Sequence, residues 1–124
     1  MNNFTYHSKD TATTAASVTL NILEKNIGFI PNVFAIIAES SVALSGLIAL
    51  NEQFSKSAFT QQEQQVILMA TSVANECSYC VAGHSAFADK LGMPQDTLTA
   101  LRDHKDTGNP RYDALANTVR QLVI

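Results

Sequence analysis

Apolar positions in this chain recur three and four residues apart in six or seven blocks, separated by short polar, glycine or proline breaks. Ala15 to Lys25 carries Val18, Ile22 and Leu23 at helical spacing, and Gly28 can close that helix. Pro31 can open a short apolar helix, Val33 to Glu39. Ser40-Ser41 can cap a longer one, from Val42 to about Lys56. Thr60-Gln61-Gln62-Glu63 fits a capping box, and the helix it starts runs to about Asn75. Val66, Ile67, Leu68, Met69, Ala70 and Val73 make that helix apolar on nearly every side, so it should be central and buried. A helix from Cys77 to Leu91 follows and ends at Gly92. Pro94 starts another, to about His104, and Asn109-Pro110 starts the last. No alternating strand pattern competes. The expected class is all-α, a helical bundle of about six to seven helices in a single domain.

Composition sharpens this picture. A chain of 124 residues suits one domain, and 46% hydrophobic against 15% charged residues supports a real core. So few charges leave much apolar area to hide, and self-association is one way to hide it. The net charge is −3 with no cluster of Lys or Arg, so nucleic acid and anionic membranes are poor partners. The polar start, Met1-Asn2-Asn3-Phe4-Thr5-Tyr6-His7, is not a secretory signal. Val42 to Leu50 is too short to span a bilayer. The expected location is cytoplasmic. Residues 1–13 read as a flexible arm and 14–124 as the helical domain. The last helix stops on Val123-Ile124 without a cap, so further helices, or a partner against this end, are expected.

The two cysteines are only three positions apart, which in a reducing compartment reads as redox or metal chemistry rather than a structural disulfide framework. Cys77, Cys80 and His84 sit at i, i+3 and i+7, on one face of a helix. The reactive species of a thiol is its thiolate. A helix N-terminus stabilises that charge, and His84, four residues past Cys80, can take its proton. Either cysteine can then resolve the other. Two alternatives stand beside this. The pair can be buried, inert cysteines. It can also bind zinc with His84, though a structural site wants four ligands and only His7, His104 or a carboxylate remain.

The preceding helix adds a polar stripe, Gln65 and Ser72, seven residues apart on an otherwise apolar surface. Buried polar groups need partners, and this stripe can face the cysteines. Glu63 reads as a cap before it reads as a catalyst. Tyr79 reads as a packing residue, Ser85 as a helix-surface residue, and His7 and His104 as solvated loop residues.

The run from Glu63 to Ser85 resembles the core of the carboxymuconolactone decarboxylase / AhpD-like alkylhydroperoxidase superfamily, with Gly28-Phe29-Ile30-Pro31-Asn32-Val33-Phe34 and Leu91-Gly92 adding to the likeness. The resemblance implies an AhpD-like helical fold and homo-oligomers, trimers or hexamers. It implies that Cys80 attacks peroxide, Cys77 resolves it as a disulfide, and His84 belongs to a proton relay. Two positions depart from AhpD. Gln65 stands where the relay glutamate would be, twelve residues before Cys77, and Tyr79 replaces a histidine between the cysteines. A glutamine cannot act as a general base. Glu63 is then the candidate substitute, and Gln65 and Ser72 are supporting members of the relay.

The function expected is a thiol-dependent, alkylhydroperoxidase-like antioxidant with no cofactor and no metal. It would take a peroxide substrate and an external dithiol reductant or peroxiredoxin partner. The rivals are a non-enzymatic redox sensor or oligomeric scaffold, a decarboxylase-like enzyme and a metal-binding module.

Overall fold

The computed structural model describes residues 3–123; Met1, Asn2 and Ile124, at the outer ends of the expected arm and last helix, lie outside them. The described residues form seven helices and no strand: α1 Thr14–Ile27, α2 Asn32–Ile37, α3 Ser41–Ser55, α4 Gln61–Ala74, α5 Ser78–Lys90, α6 Gln95–Arg102 and α7 Pro110–Leu122. The all-α expectation holds, and each helix lies within a few residues of its expected bounds.

Local chemistry explains where the helices begin. Ser40 caps α3 by accepting from the Ala43 amide. Thr60 and Glu63 complete the capping box of α4: the threonine hydroxyl accepts from Glu63 N–H, and the Glu63 carboxylate accepts from Thr60 N–H at 2.8 Å. The Asn109 side chain accepts from the Arg111 and Tyr112 amides ahead of Pro110 at the first position of α7.

The chain divides at Lys56–Ser57 into two compact units. The first holds α1 to α3. Its core is Ala16, Leu20, Ala38 and Leu44, with Leu23, Phe34, Ile37 and Ile48 packed against them. Residues before α1 bond to this unit: His7 N–H donates to the Ala35 carbonyl at 3.0 Å, and Lys9 pairs with Glu24 at 2.9 Å. His7 differs from the solvated residue expected. Its side chain is only 15% exposed, and Nε2 lies 2.6 Å from a Glu39 carboxylate oxygen. Its own N–H bond to Ala35 seats it against α2.

The second unit holds α4 to α7 and carries both cysteines. As its composition demanded, α4 is central and packs on α5, α6 and α7. Val66, Met69 and Ala70 from α4 join Ala88, Met93, Leu98, Leu101 and Ala116 in one buried cluster. Three polar residues of α4 are buried as well, Glu63, Gln64 and Ser72. Glu63 meets Arg111 of α7 in an ion pair, so the capping carboxylate also fastens α7 to the start of α4. Gln62 spans the same end, donating to the Leu91 carbonyl and accepting from the Tyr112 hydroxyl.

Thr60→Ala removes one half of the capping box without touching the core. It should cost about 1 kcal/mol of stability, read as a lowered urea midpoint with an unchanged m-value.

Candidate functional site

The site begins where α4 ends. Asn75 is the C-cap of α4, and Glu76 follows with φ +53°. Glu76 N–H donates to the Val73 carbonyl and Cys77 N–H to the Ser72 carbonyl, each at 3.0 Å. These two bonds are a Schellman closure, which needs one residue in the left-handed region. Glycine is usual there, and Glu76 holds that conformation at a cost in backbone strain. The closure reverses the chain within three residues, so α5 starts at Ser78.

Cys77 is the N-cap of α5. Its Sγ accepts a hydrogen bond from the Cys80 amide at 3.3 Å, in the place where a serine or aspartate oxygen usually sits. Cys77 and Cys80 are joined in a disulfide, with Cα atoms 5.3 Å apart. That separation lies within the ordinary disulfide range, so the helix start is built to let the two sulfurs join. Both cysteines are half-buried. The helix-terminal field and the amide bond act on Cys77, the sulfur at the cap.

His84 lies one turn beyond Cys80 and is half-buried. Its Nδ1 is 3.1 Å from Oε1 of Gln65 on α4. Burial pushes the imidazole pKa below its ordinary value of 6.5, so the ring is neutral at pH 7. A neutral ring next to a thiol is a proton acceptor. With Gln65 as its partner, the ring is oriented but not made more basic, because the amide carries no charge.

The structure thus brings Cys77, Cys80, His84 and Gln65 to one side of the α4–α5 pair. Ser72 takes part differently from expectation. Its hydroxyl donates to the Leu68 carbonyl at 2.6 Å within its own helix, while its carbonyl anchors Cys77. Glu63 is not brought to the dithiol. Two residues before Gln65 means about 200° around a helix, and Glu63 faces Arg111 and the Thr60 amide instead. Those partners hold its carboxyl below the usual carboxylate range, the Arg111 hydrogen bond most of all.

Three other expectations concern single residues. Tyr79 is half exposed between the cysteines. His104 is exposed and closes α6 with φ +60°. Ser85 departs from the helix-surface reading: it is 8% exposed, and its hydroxyl has no hydrogen-bond partner. Ser85 sits seven residues after Ser78, so the spacing argument that paired Gln65 with Ser72 would have found it. Among the described residues, no group of three or more His, Cys, Asp and Glu side chains is arranged to hold a metal ion. None of the described helices is long and apolar enough to cross a membrane.

Residues 45–119 match the model of the carboxymuconolactone decarboxylase family. The chain belongs to that family. The matched stretch contains all of α4, α5 and α6, and therefore the capped disulfide, His84 and Gln65. No curated protein matches the chain.

The pH response of the fold follows from His84. Its folded pKa is lower than its unfolded one, so the unfolded chain takes up a proton first as pH falls. The stability held by the neutral ring is complete above about pH 6.5 and declines below it, toward the lowered folded value. Urea midpoints measured from neutral to mildly acidic pH should show this decline, and His84→Gln should flatten it. Parallel slopes for the two proteins would show that burial of the ring does not govern the response.

Proposed function

We propose that the chain is a dithiol oxidoreductase that reduces hydroperoxides through a Cys77–Cys80 cycle. The observation that carries the reading is a disulfide at the first turn of α5, with one sulfur capping the helix and a neutral imidazole one turn on.

The cycle balances without a metal or organic cofactor. His84 takes the proton of the Cys80 thiol, and the thiolate attacks the terminal oxygen of the peroxide O–O bond. Cys80 becomes a sulfenic acid, and the alkoxide leaves as an alcohol after taking a proton. The Cys77 thiol then attacks the Cys80 sulfur as its proton passes to the departing hydroxyl; the S–O bond breaks, water leaves and the disulfide forms. An external dithiol, or a peroxiredoxin partner, reduces it by thiol–disulfide exchange. The cap supports the last step. A thiolate attacking Cys80 expels Cys77, whose negative charge the Cys80 amide and the helix start stabilise, and a better-stabilised thiolate leaves faster.

Family membership supports an enzyme, and the dithiol favours redox chemistry over lactone decarboxylation. Exposed apolar side chains on single helices, Val18 and Ile22 of α1 and Val42 and Leu50 of α3, support a homo-oligomer. A cytoplasmic, reducing compartment fits a disulfide that must be opened in each cycle.

One observation favours a second reading, a redox sensor that forms the disulfide without sustained turnover. The residue bonded to His84 is a glutamine, so no carboxylate at that position drives proton transfer.

Peroxide consumption with a recycling dithiol tests both. Cys80→Ser should abolish it, while Cys77→Ser should stop the cycle at a sulfenic acid or mixed disulfide visible by mass spectrometry. Undiminished turnover in Cys80→Ser would reject the assignment.

Gln65→Glu should raise the rate on the order of tenfold or more if proton transfer is limiting. Disulfide formation with a single turnover in both wild type and Gln65→Glu would select the sensor.

A further inference from the structure

Beside the sulfurs, α5 carries a second stripe. Ser78, Val81 and Ser85 sit at i, i+3 and i+7, about 100° around the helix from Cys77, Cys80 and His84. This stripe lines an open cleft of about 550 Å³, whose other walls are Val73 near the end of α4, Glu76 in the turn after it and Arg102 at the end of α6. The volume lies in the range of small-molecule sites. Nothing in the cycle above uses this cleft.

Three features point to an anionic head on an apolar body. Ser85 is more than nine-tenths buried in the wall, and its hydroxyl has no partner. A buried hydroxyl without a partner is rare in a folded protein and marks a place where a ligand can supply one. Arg102 is exposed, and among the described residues its polar contact is a long one, 3.4 Å from Nη2 to the Thr99 hydroxyl, with no carboxylate partner. The positive end of the α5 dipole also opens here, at Ser78. Against these donors stands one carboxylate, Glu76, which joins no ion pair among the described residues. Between the polar groups the wall is aliphatic, Val73 and Val81.

We propose that this cleft binds an aliphatic carboxylate, with Arg102 holding the carboxylate and Val73 and Val81 lining the chain. Resting on the peroxidase reading, the preferred substrate is a hydroperoxide carried on an aliphatic acid. Ser85, whose oxygen is covered in the cleft wall, then turns its hydroxyl to donate to an oxygen of the ligand. Glu76 opposes the negative head, so its charge weakens binding.

Titration of the full-length oxidised protein with octanoate, and with 1-octanol as the uncharged probe, tests this by calorimetry. Octanoate should bind more tightly than octanol. Arg102→Gln should weaken octanoate roughly tenfold and leave octanol unchanged, as loss of a charge-assisted hydrogen bond requires. Glu76→Gln should tighten octanoate. Equal binding of the two probes, or an Arg102→Gln variant that binds octanoate as wild type does, overturns the proposal. So does weaker octanoate binding in Glu76→Gln, because octanoate carries no positive group for Glu76 to hold. Turnover of tert-butyl hydroperoxide by the wild type is read separately. Octanoate binding without that turnover removes the peroxidase and keeps the cleft; turnover without octanoate binding removes the cleft and keeps the peroxidase.

Discussion

Cys77 ends one helix and begins the next, and the site depends on that double duty. Its N–H closes α4 on the Ser72 carbonyl, and its Sγ takes the Cys80 amide at the start of α5. A helix start leaves its first amides without partners, and something must satisfy them. Here sulfur does so. The consequence is chemical as well as structural, because the atom that caps the helix is also an atom of the disulfide. Opened to a thiolate, Cys77 is a stronger acceptor for the same amide. Reduction therefore need not cost the helix its cap, as the proposed cycle requires.

The turn that makes this geometry carries strain. Glu76 occupies a left-handed conformation that glycine adopts freely. Strain of that kind persists when the surroundings over-determine it. The two Schellman bonds, and the packing of α5 on α4, over-determine this one. The same closure recurs at the ends of α5 and α6: Met93 N–H reaches the Ala88 carbonyl past Gly92, and Lys105 N–H reaches Ala100 past His104. Three helices of this unit thus end in one way, with glycine at only one of the left-handed positions.

That repetition shows what the sequence could and could not tell. Caps made by side-chain oxygens were legible, since Ser40, Thr60 with Glu63, and Asn109 each act as their residue types predict. Central burial of α4 was legible from its unbroken apolar run. The helix ends at Glu76 and His104 carry no glycine signal, so their geometry is set by the bonds beyond them. The dithiol and its histidine were legible from spacing, and so was a polar stripe at Gln65 facing them, but the bond from Gln65 to His84 was not. What spacing cannot supply is the neighbour across a helix pair. Ser85 was read as exposed because its surroundings on α5 are small and mixed, yet α5 turns that face inward. Glu63 could be a cap or a base on sequence grounds, and Arg111, 48 residues away, decides that it serves the fold.

The separation of Glu63 from Gln65 bears on how proton transfer is divided. Both carboxylate and amide sit on α4 within half a turn, but they face different helices, α7 and α5. The charged group is spent on holding α7, where Arg111 and the Thr60 amide keep it ionised. The group beside the imidazole is neutral. A ring with a neutral partner and a depressed pKa accepts a proton weakly and gives it up readily. In the proposed cycle such a ring passes the Cys80 proton on more readily than it stores it. The helix-start field and the Cys80 amide act instead on Cys77, the sulfur at the cap. In the proposed cycle the field therefore favours Cys77 as the leaving thiolate when the disulfide opens, and the first step, at Cys80, is left to the imidazole.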